Sequence, residues 1–139
     1  MPSFEEPGSH TVDVPIICVI TRFGLRSPHL LLPTYLDYRR VANEAKKSAT
    51  PGLLQALFLV ENFTTCYSVS IWEGFEALSF FGTKVRGHVG AARRAFGRVS
   101  RDEHNRAEIW STKWRLESVS NNLSWQDFDL RARVIALSK

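Results

Sequence analysis

An α+β domain built on a four-stranded antiparallel sheet is what this sequence predicts, on three observations. The chain has 139 residues, 44% hydrophobic and 23% charged, which suits one domain with a packed core. Apolar, β-branched runs of strand length alternate with helix-like stretches in the order strand, helix, strand, strand, helix, strand. The two middle strands are separated by only a short polar turn, the mark of a hairpin. That order is the split βαβ, or ferredoxin-like, arrangement (βαββαβ), with both helices on one face of the sheet.

Residues 1–14 carry Pro2, Pro7, Gly8 and several acidic residues without periodicity, and read as a flexible arm. Residues 15–139 read as the single domain with a C-terminal extension. Pro15 to Phe23, rich in Ile and Val, is the expected first strand, ended by Gly24 to Pro28. A helix is expected over His29 to Lys47, with Pro33 in its first turn and Leu32, Tyr35, Leu36, Arg39 and Asn43 along one side. Thr50-Pro51-Gly52 is a strong stop.

Leu53 to Glu61 and Thr65 to Trp72 form the expected hairpin around Asn62 to Thr65. Strand alternation sends Cys66, Ser68, Ser70 and Trp72 one way and Tyr67, Val69 and Ile71 the other. The second helical region runs over Glu73 to Thr83 and Lys84 to Val99, broken near Gly82 and Gly87. Its later piece has an inward stripe of His88, Ala91, Ala92, Ala95 and Phe96, which turns Arg94 and Arg98 to solvent. After a charged turn, Arg106 to Arg115 is the fourth strand, with Glu108, Trp110, Thr112 and Trp114 on one face. Ser124 to Asp127 reads as the start of a short helix, and Val134 to Leu137 as an extra strand or a helical tail.

Composition narrows the function classes. No apolar run approaches the roughly 20 residues that span a bilayer, and the short run Pro15 to Ile20 follows acidic residues, unlike a signal peptide. A cytoplasmic protein without membrane partners is the expectation. The net charge is +4, but its densest basic group, Arg93, Arg94, Arg98 and Arg101, reads as the face and end of a helix. No nucleic-acid-binding signature accompanies it, and no nucleic-acid partner is expected. Cys18 and Cys66 lie in apolar strands outside any ligand pattern and read as buried free thiols. The chain has no P-loop, GxGxxG, HExxH, nucleophile elbow or cluster of metal ligands, so no protein-bound metal is expected.

The segment from Ser68 to Phe81 (SVSIWEGFEALSFF), with His88 and then Arg93-Arg94, resembles the dimeric α+β barrel superfamily. That superfamily includes antibiotic-biosynthesis-monooxygenase-like and spheroidene-monooxygenase-like proteins. The resemblance covers roughly residues 15 to 115. It implies a homodimer, in which a second copy would cover the outer sheet face that the four-stranded architecture leaves open, and it places the family's site roles at Trp72, Glu76-Ala77-Leu78, Phe80, Phe81 and His88. It also spans cofactor-free oxygenases, haem enzymes, isomerases and cyclases, among which fold alone does not choose.

His88 is the first candidate, as a general base or, alternatively, a haem ligand; a hydrogen-bonded core histidine is the plain alternative. Glu108, beside indoles, is the second candidate, because desolvation raises a carboxylate toward a useful pKa; pairing with Arg106 or Lys113 competes with that role. Trp72, Trp110 and Trp114 offer flat apolar walls to an aromatic ligand, or a core or dimer interface. Tyr35 and Asn43 would donate hydrogen bonds, and His29 with Arg22 and Arg26 would hold an anionic group.

The expected protein is a homodimeric small-molecule enzyme of secondary metabolism. It would be a cofactor-independent monooxygenase, or a cyclase or isomerase, acting on a hydrophobic aromatic or polyketide-like substrate between sheet and helices. A haem-dependent enzyme with His88 as axial ligand, and a non-catalytic binding or assembly module, are the alternatives.

Overall fold

A computed structural model describes residues 10–11, 15–47, 52–84, 86–119, 124–125 and 128–129, with side chains over 15–45, 52–79 and 90–118. The main elements are β1 (Ile16–Gly24), α1 (Leu31–Lys47), β2 (Leu53–Asn62), β3 (Thr65–Glu73), α2 (Phe75–Lys84), α3 (Arg86–Arg98) and β4 (Ile109–Arg115). The strands form one sheet in the order β2-β3-β1-β4, every neighbouring pair antiparallel. The expected ferredoxin-like α+β architecture is therefore present.

The period of two along the central strand β1 fixes what each face carries. Ile17, Val19, Thr21 and Phe23 stand opposite Trp72, Ser70, Ser68 and Cys66 on β3. On β4, Val19, Thr21 and Phe23 face Lys113, Ser111 and Ile109. This is the helix side. Cys18, Ile20 and Arg22 pair with Ile71, Val69 and Tyr67, and with Trp114, Thr112 and Trp110, on the outer side.

The β2–β3 hairpin turns at Phe63–Thr64, where the Asn62 side chain accepts the Thr64 N–H at 3.0 Å. A short turn, Pro28–Leu30, precedes α1, and the Thr34 hydroxyl donates to the Leu30 carbonyl at 2.8 Å. At the Gly24 end of β1 the chain is tied together by backbone bonds. Gly24 donates to Glu108, Ser100 donates to Gly24 and Arg26 donates to Arg98, which moors the end of α3 to the sheet.

Four sequence expectations change. The buried side of α1 holds Thr34, Asp37 and Ala45, whereas Leu32 is 63% exposed and Leu36 is 42% exposed. Arg98 is mostly covered rather than solvated, because it pairs with Asp37. The fourth strand starts at Ile109 instead of Arg106, since Asp102 accepts the Arg106 main-chain and side-chain N–H groups and holds 102–106 in a turn. Ser124–Trp125 pairs with Phe128–Asp129 as a two-residue ladder rather than opening a helix. In the N-terminal arm, His10–Thr11 pairs with Ser118–Val119, and the rest of the arm and residues 134–137 lie outside the described residues.

Two glycines should respond to alanine with opposite signs. Gly52 has φ +96° and a Cβ there would come within 2.5 Å of the Ala77 Cβ, so Gly52→Ala should lower stability by about 2 kcal/mol. Gly97, in the last turn of α3 with open space around it, should gain up to about 0.5 kcal/mol as Ala. Urea unfolding of the two variants checks both signs.

Candidate functional site

Between the helix side of the sheet and the helices lies a cavity of about 480 Å³, within the range that holds small ligands. Its floor is laid by Val19 and Thr21 of β1, Ser68 and Ser70 of β3, Phe58 of β2 and Ser111 of β4. The roof comes from Asp37, Tyr38 and Val41 of α1 and from Ala91, Ala92 and Ala95 of α3. Alanines at 91, 92 and 95 put little bulk from α3 into the space beneath it, and Phe96, which also borders the cavity, is 49% exposed, so volume remains.

The two ends of the cavity differ chemically. At one end, buried Trp72 and Ala45 form a core cluster against which Val19, Val41, Leu53, Ala77 and Leu78 pack. The Trp72 indole N–H donates to the Ser70 hydroxyl at 2.7 Å. Toward the other end, Ser111, Thr21 and Ser68 stand side by side across three strands. Thr21 and Ser111 share a hydrogen bond of 3.1 Å.

Above that end sits an ion cluster. Asp37 Oδ2 accepts from Arg98 Nη1 at 2.7 Å and from Arg94 Nε at 3.0 Å, while Arg40 Nη1 approaches Oδ1 at 3.8 Å. The Asp37 side chain is 9% exposed, Arg98 17% and Arg94 49%. Burial pushes the Asp37 carboxyl up, but the hydrogen bonds and charges of the two arginines outweigh it and hold the pKa below its ordinary value.

The sequence candidates divide between the two faces of the sheet. Trp72 lines the cavity. Tyr35 is not one of the lining residues; its ring lies 5.3 Å from Phe58 and 6.4 Å from Tyr38, which do line the cavity. Arg22 and Trp114 belong to the outer side by register. Trp110 borders the cavity along the edge strand, yet its ring meets Tyr67 edge-on at 6.4 Å, and Tyr67 is an outer-side residue. The Glu108 carboxylate and the Arg22 guanidinium both lie over Gly24. His88 falls on α3 and Phe81 on α2, and both side chains lie outside the described residues. Asn43 and His29 are exposed, and the His29 ring bonds the Ser27 hydroxyl.

Structural comparison identifies the architecture. A cofactor-independent oxygenase, SnoaB from Streptomyces nogalater, superposes with a TM-score of 0.56 at 12% identity, covering 72% of this chain and 91% of that one. An antibiotic biosynthesis monooxygenase gives 0.56 at 13% identity, with 74% and 98% covered. A conserved protein from Methanosarcina mazei gives 0.60 at 10% identity, with 73% and 93% covered. The chain shares the fold of these three solved structures. No family model matches the sequence, and no curated protein matches it.

The cavity residues that the sequence pattern does not single out are Asp37, Tyr38 and the hydroxyls of Thr21 and Ser111. Asp37 and Arg94 or Arg98 are 57 and 61 positions apart in the chain, so no local spacing pairs them. Thr21 became visible only once β1 and β4 were in register. Among the described residues no group of three or more His, Cys, Asp or Glu is placed to hold a metal ion, and no helix is long and apolar enough to cross a membrane.

Both thiols are free, and burial raises both, Cys66 to about 11. Iodoacetamide at pH 8 should label Cys66 only through unfolding, so its rate in buffer should lie orders of magnitude below that in urea. For Asp37, a pKa lowered on folding adds stability above the unfolded value near 3.9 and loses it as pH falls through the folded value. Asp37→Ala should cost about 2–3 kcal/mol at pH 7, below the roughly 3–5 kcal/mol of a fully buried pair because Arg94 is half-exposed. The gap between wild type and variant should shrink below about pH 4, as read by urea unfolding across pH.

Proposed function

We propose that this protein is a small-molecule enzyme that oxygenates or cyclises a hydrophobic aromatic or polyketide-like substrate in the cavity, without a cofactor. One observation carries the reading: an apolar cavity of about 480 Å³ under the helices, with Trp72 at one end and hydroxyls on its floor. The SnoaB oxygenase, which has this fold, is itself cofactor-independent. His88 is assigned the proton transfer on α3, and Trp72 the wall against which an aromatic body lies.

The chemistry balances with dioxygen as oxidant. Removal of a proton from an activated CH2 leaves a carbanion that gives its electrons to O2, and a C–O bond forms. Protonation of the resulting peroxide and loss of water leave a carbonyl, so one CH2 and one O2 become one C=O and one H2O. Without oxygen, the same carbanion attacks an internal carbonyl and closes a ring.

The outer sheet face is assigned to a second copy of the chain. Trp110 and Trp114 are 46% and 59% exposed there, beside Ile20, Val69 and Ile71, a face that favours burial against a partner. Arg22 and Glu108 lie on the same side and are assigned to that interface rather than to the substrate.

Oxygen uptake with a dihydroxyanthrone, a tricyclic carbon acid, tests the reading. Uptake should match quinone formed, the purified protein should show no Soret band, and His88→Ala should slow turnover by about 10² or more. Full activity in His88→Ala, or a Soret band lost with His88, would contradict it. In sedimentation velocity the wild type should run as a dimer and Trp114→Glu as a monomer.

A further inference from the structure

We infer that Arg98 is an oxyanion anchor, so that the molecule filling the cavity carries a carboxylate or ionised enol oxygen at one end of an apolar body. Asp37 is the positioning residue that holds the guanidinium in place. The inference deepens the reading of the cavity as the substrate site and rests on it.

Arg98 borders the cavity and its side chain is only 17% exposed. Of the five N–H donors of a guanidinium, one is used by the protein among the described residues, the Nη1 bond to Asp37 at 2.7 Å. The remaining donors belong to a largely covered group beside an apolar space, a setting in which an unmet donor is costly and an incoming acceptor is favoured. The charge points the same way. Three guanidiniums, those of Arg94, Arg98 and Arg40, meet one carboxylate, and Arg94 and Arg40 are 49% and 75% exposed to water. Of the three, Arg98 is the covered one and borders the cavity, so the cluster's excess of positive charge is felt there with the least screening by water.

The anchor is also rigid. The Arg98 carbonyl accepts the Arg26 N–H at 3.0 Å, and Val99 bridges to Leu25, so the last turn of α3 is fixed to the end of the sheet. From there the hydroxyl row of Ser111, Thr21 and Ser68 leads along the floor, and Trp72 lies further down β3. A ligand matching this layout has an anionic oxygen at the Arg98 end, further oxygens over the hydroxyls and an aromatic body toward Trp72. Planar carboxylates and enolates suit the guanidinium fork.

Calorimetric titration with naphthoate and its neutral analogue naphthamide tests the anchor. The wild type should bind naphthoate about tenfold or more tighter than naphthamide. Arg98→Gln should remove that preference. The double variant Asp37→Asn/Arg98→Met, which withdraws both charges of the pair and leaves no stranded carboxylate, should remove it too. Naphthamide affinity should change by less than about twofold in either. Arg98→Lys keeps the pair with Asp37 and the fold but loses the fork, and should cut the preference at least about threefold.

Equal affinity for the two probes in wild type, or a preference that survives in these variants, overturns the anchor. Ala92→Phe, which fills the roof, separates the two readings. If it weakens both probes while the preference survives Arg98→Gln, the anchor alone fails. If it weakens neither, the cavity reading fails with it.

Discussion

The carboxylate of Asp37 ties the two roofing helices together by charge, and the cavity depends on that tie. Arg94 and Arg98 reach it from α3, so the pairing joins α1 to α3 directly. With alanines at 91, 92 and 95 on the inward stripe, packing alone would let α3 settle toward the sheet and close the space. Desolvating a carboxylate is unfavourable, and the hydrogen bonds and charges of Arg94 and Arg98 outweigh that cost. The same excess of positive charge gives the cavity its polar end.

The sheet divides the remaining work by the alternation of β1. Odd-numbered positions build the floor of the cavity, and even-numbered positions build an outer face rich in Ile, Val and Trp. A one-residue slip of β1 would place Ile20 and Arg22 under the helices and expose Val19 and Thr21. The backbone bonds at Gly24 oppose that slip, because its N–H and carbonyl are both engaged by the segment between α3 and β4. A side chain there would strike Glu108, which lies 2.6 Å from the Cβ position.

Strand order, the hairpin and the sides of β3 were legible because apolar residues alternate cleanly and turn chemistry is local, as at Asn62. The face of α1 was not. Leu32 and Leu36 drew the apolar stripe toward themselves, while the buried side carries Thr34 and Asp37, polar residues whose partners lie at Leu30 and on α3. The tryptophans show the same limit. Trp110 and Trp114 shared a face as expected, but which face is decided by register with β1, a long-range property. Trp72 lies on the opposite side, so the three do not form one wall. The pocket's charged end was hidden for the same reason, since Arg98 reads as a solvated helix residue until Asp37 is placed above it.

The cavity is assigned to small aromatic molecules bound between sheet and helices. Methyl-labelled protein saturated with naphthoate, measured for intermolecular NOEs, tests it most directly. Contacts are expected from the methyls of Val19, Val41 and Leu53 to the naphthalene ring, with none from Ile20 and Ile71. Contacts confined to those outer-face methyls would contradict it.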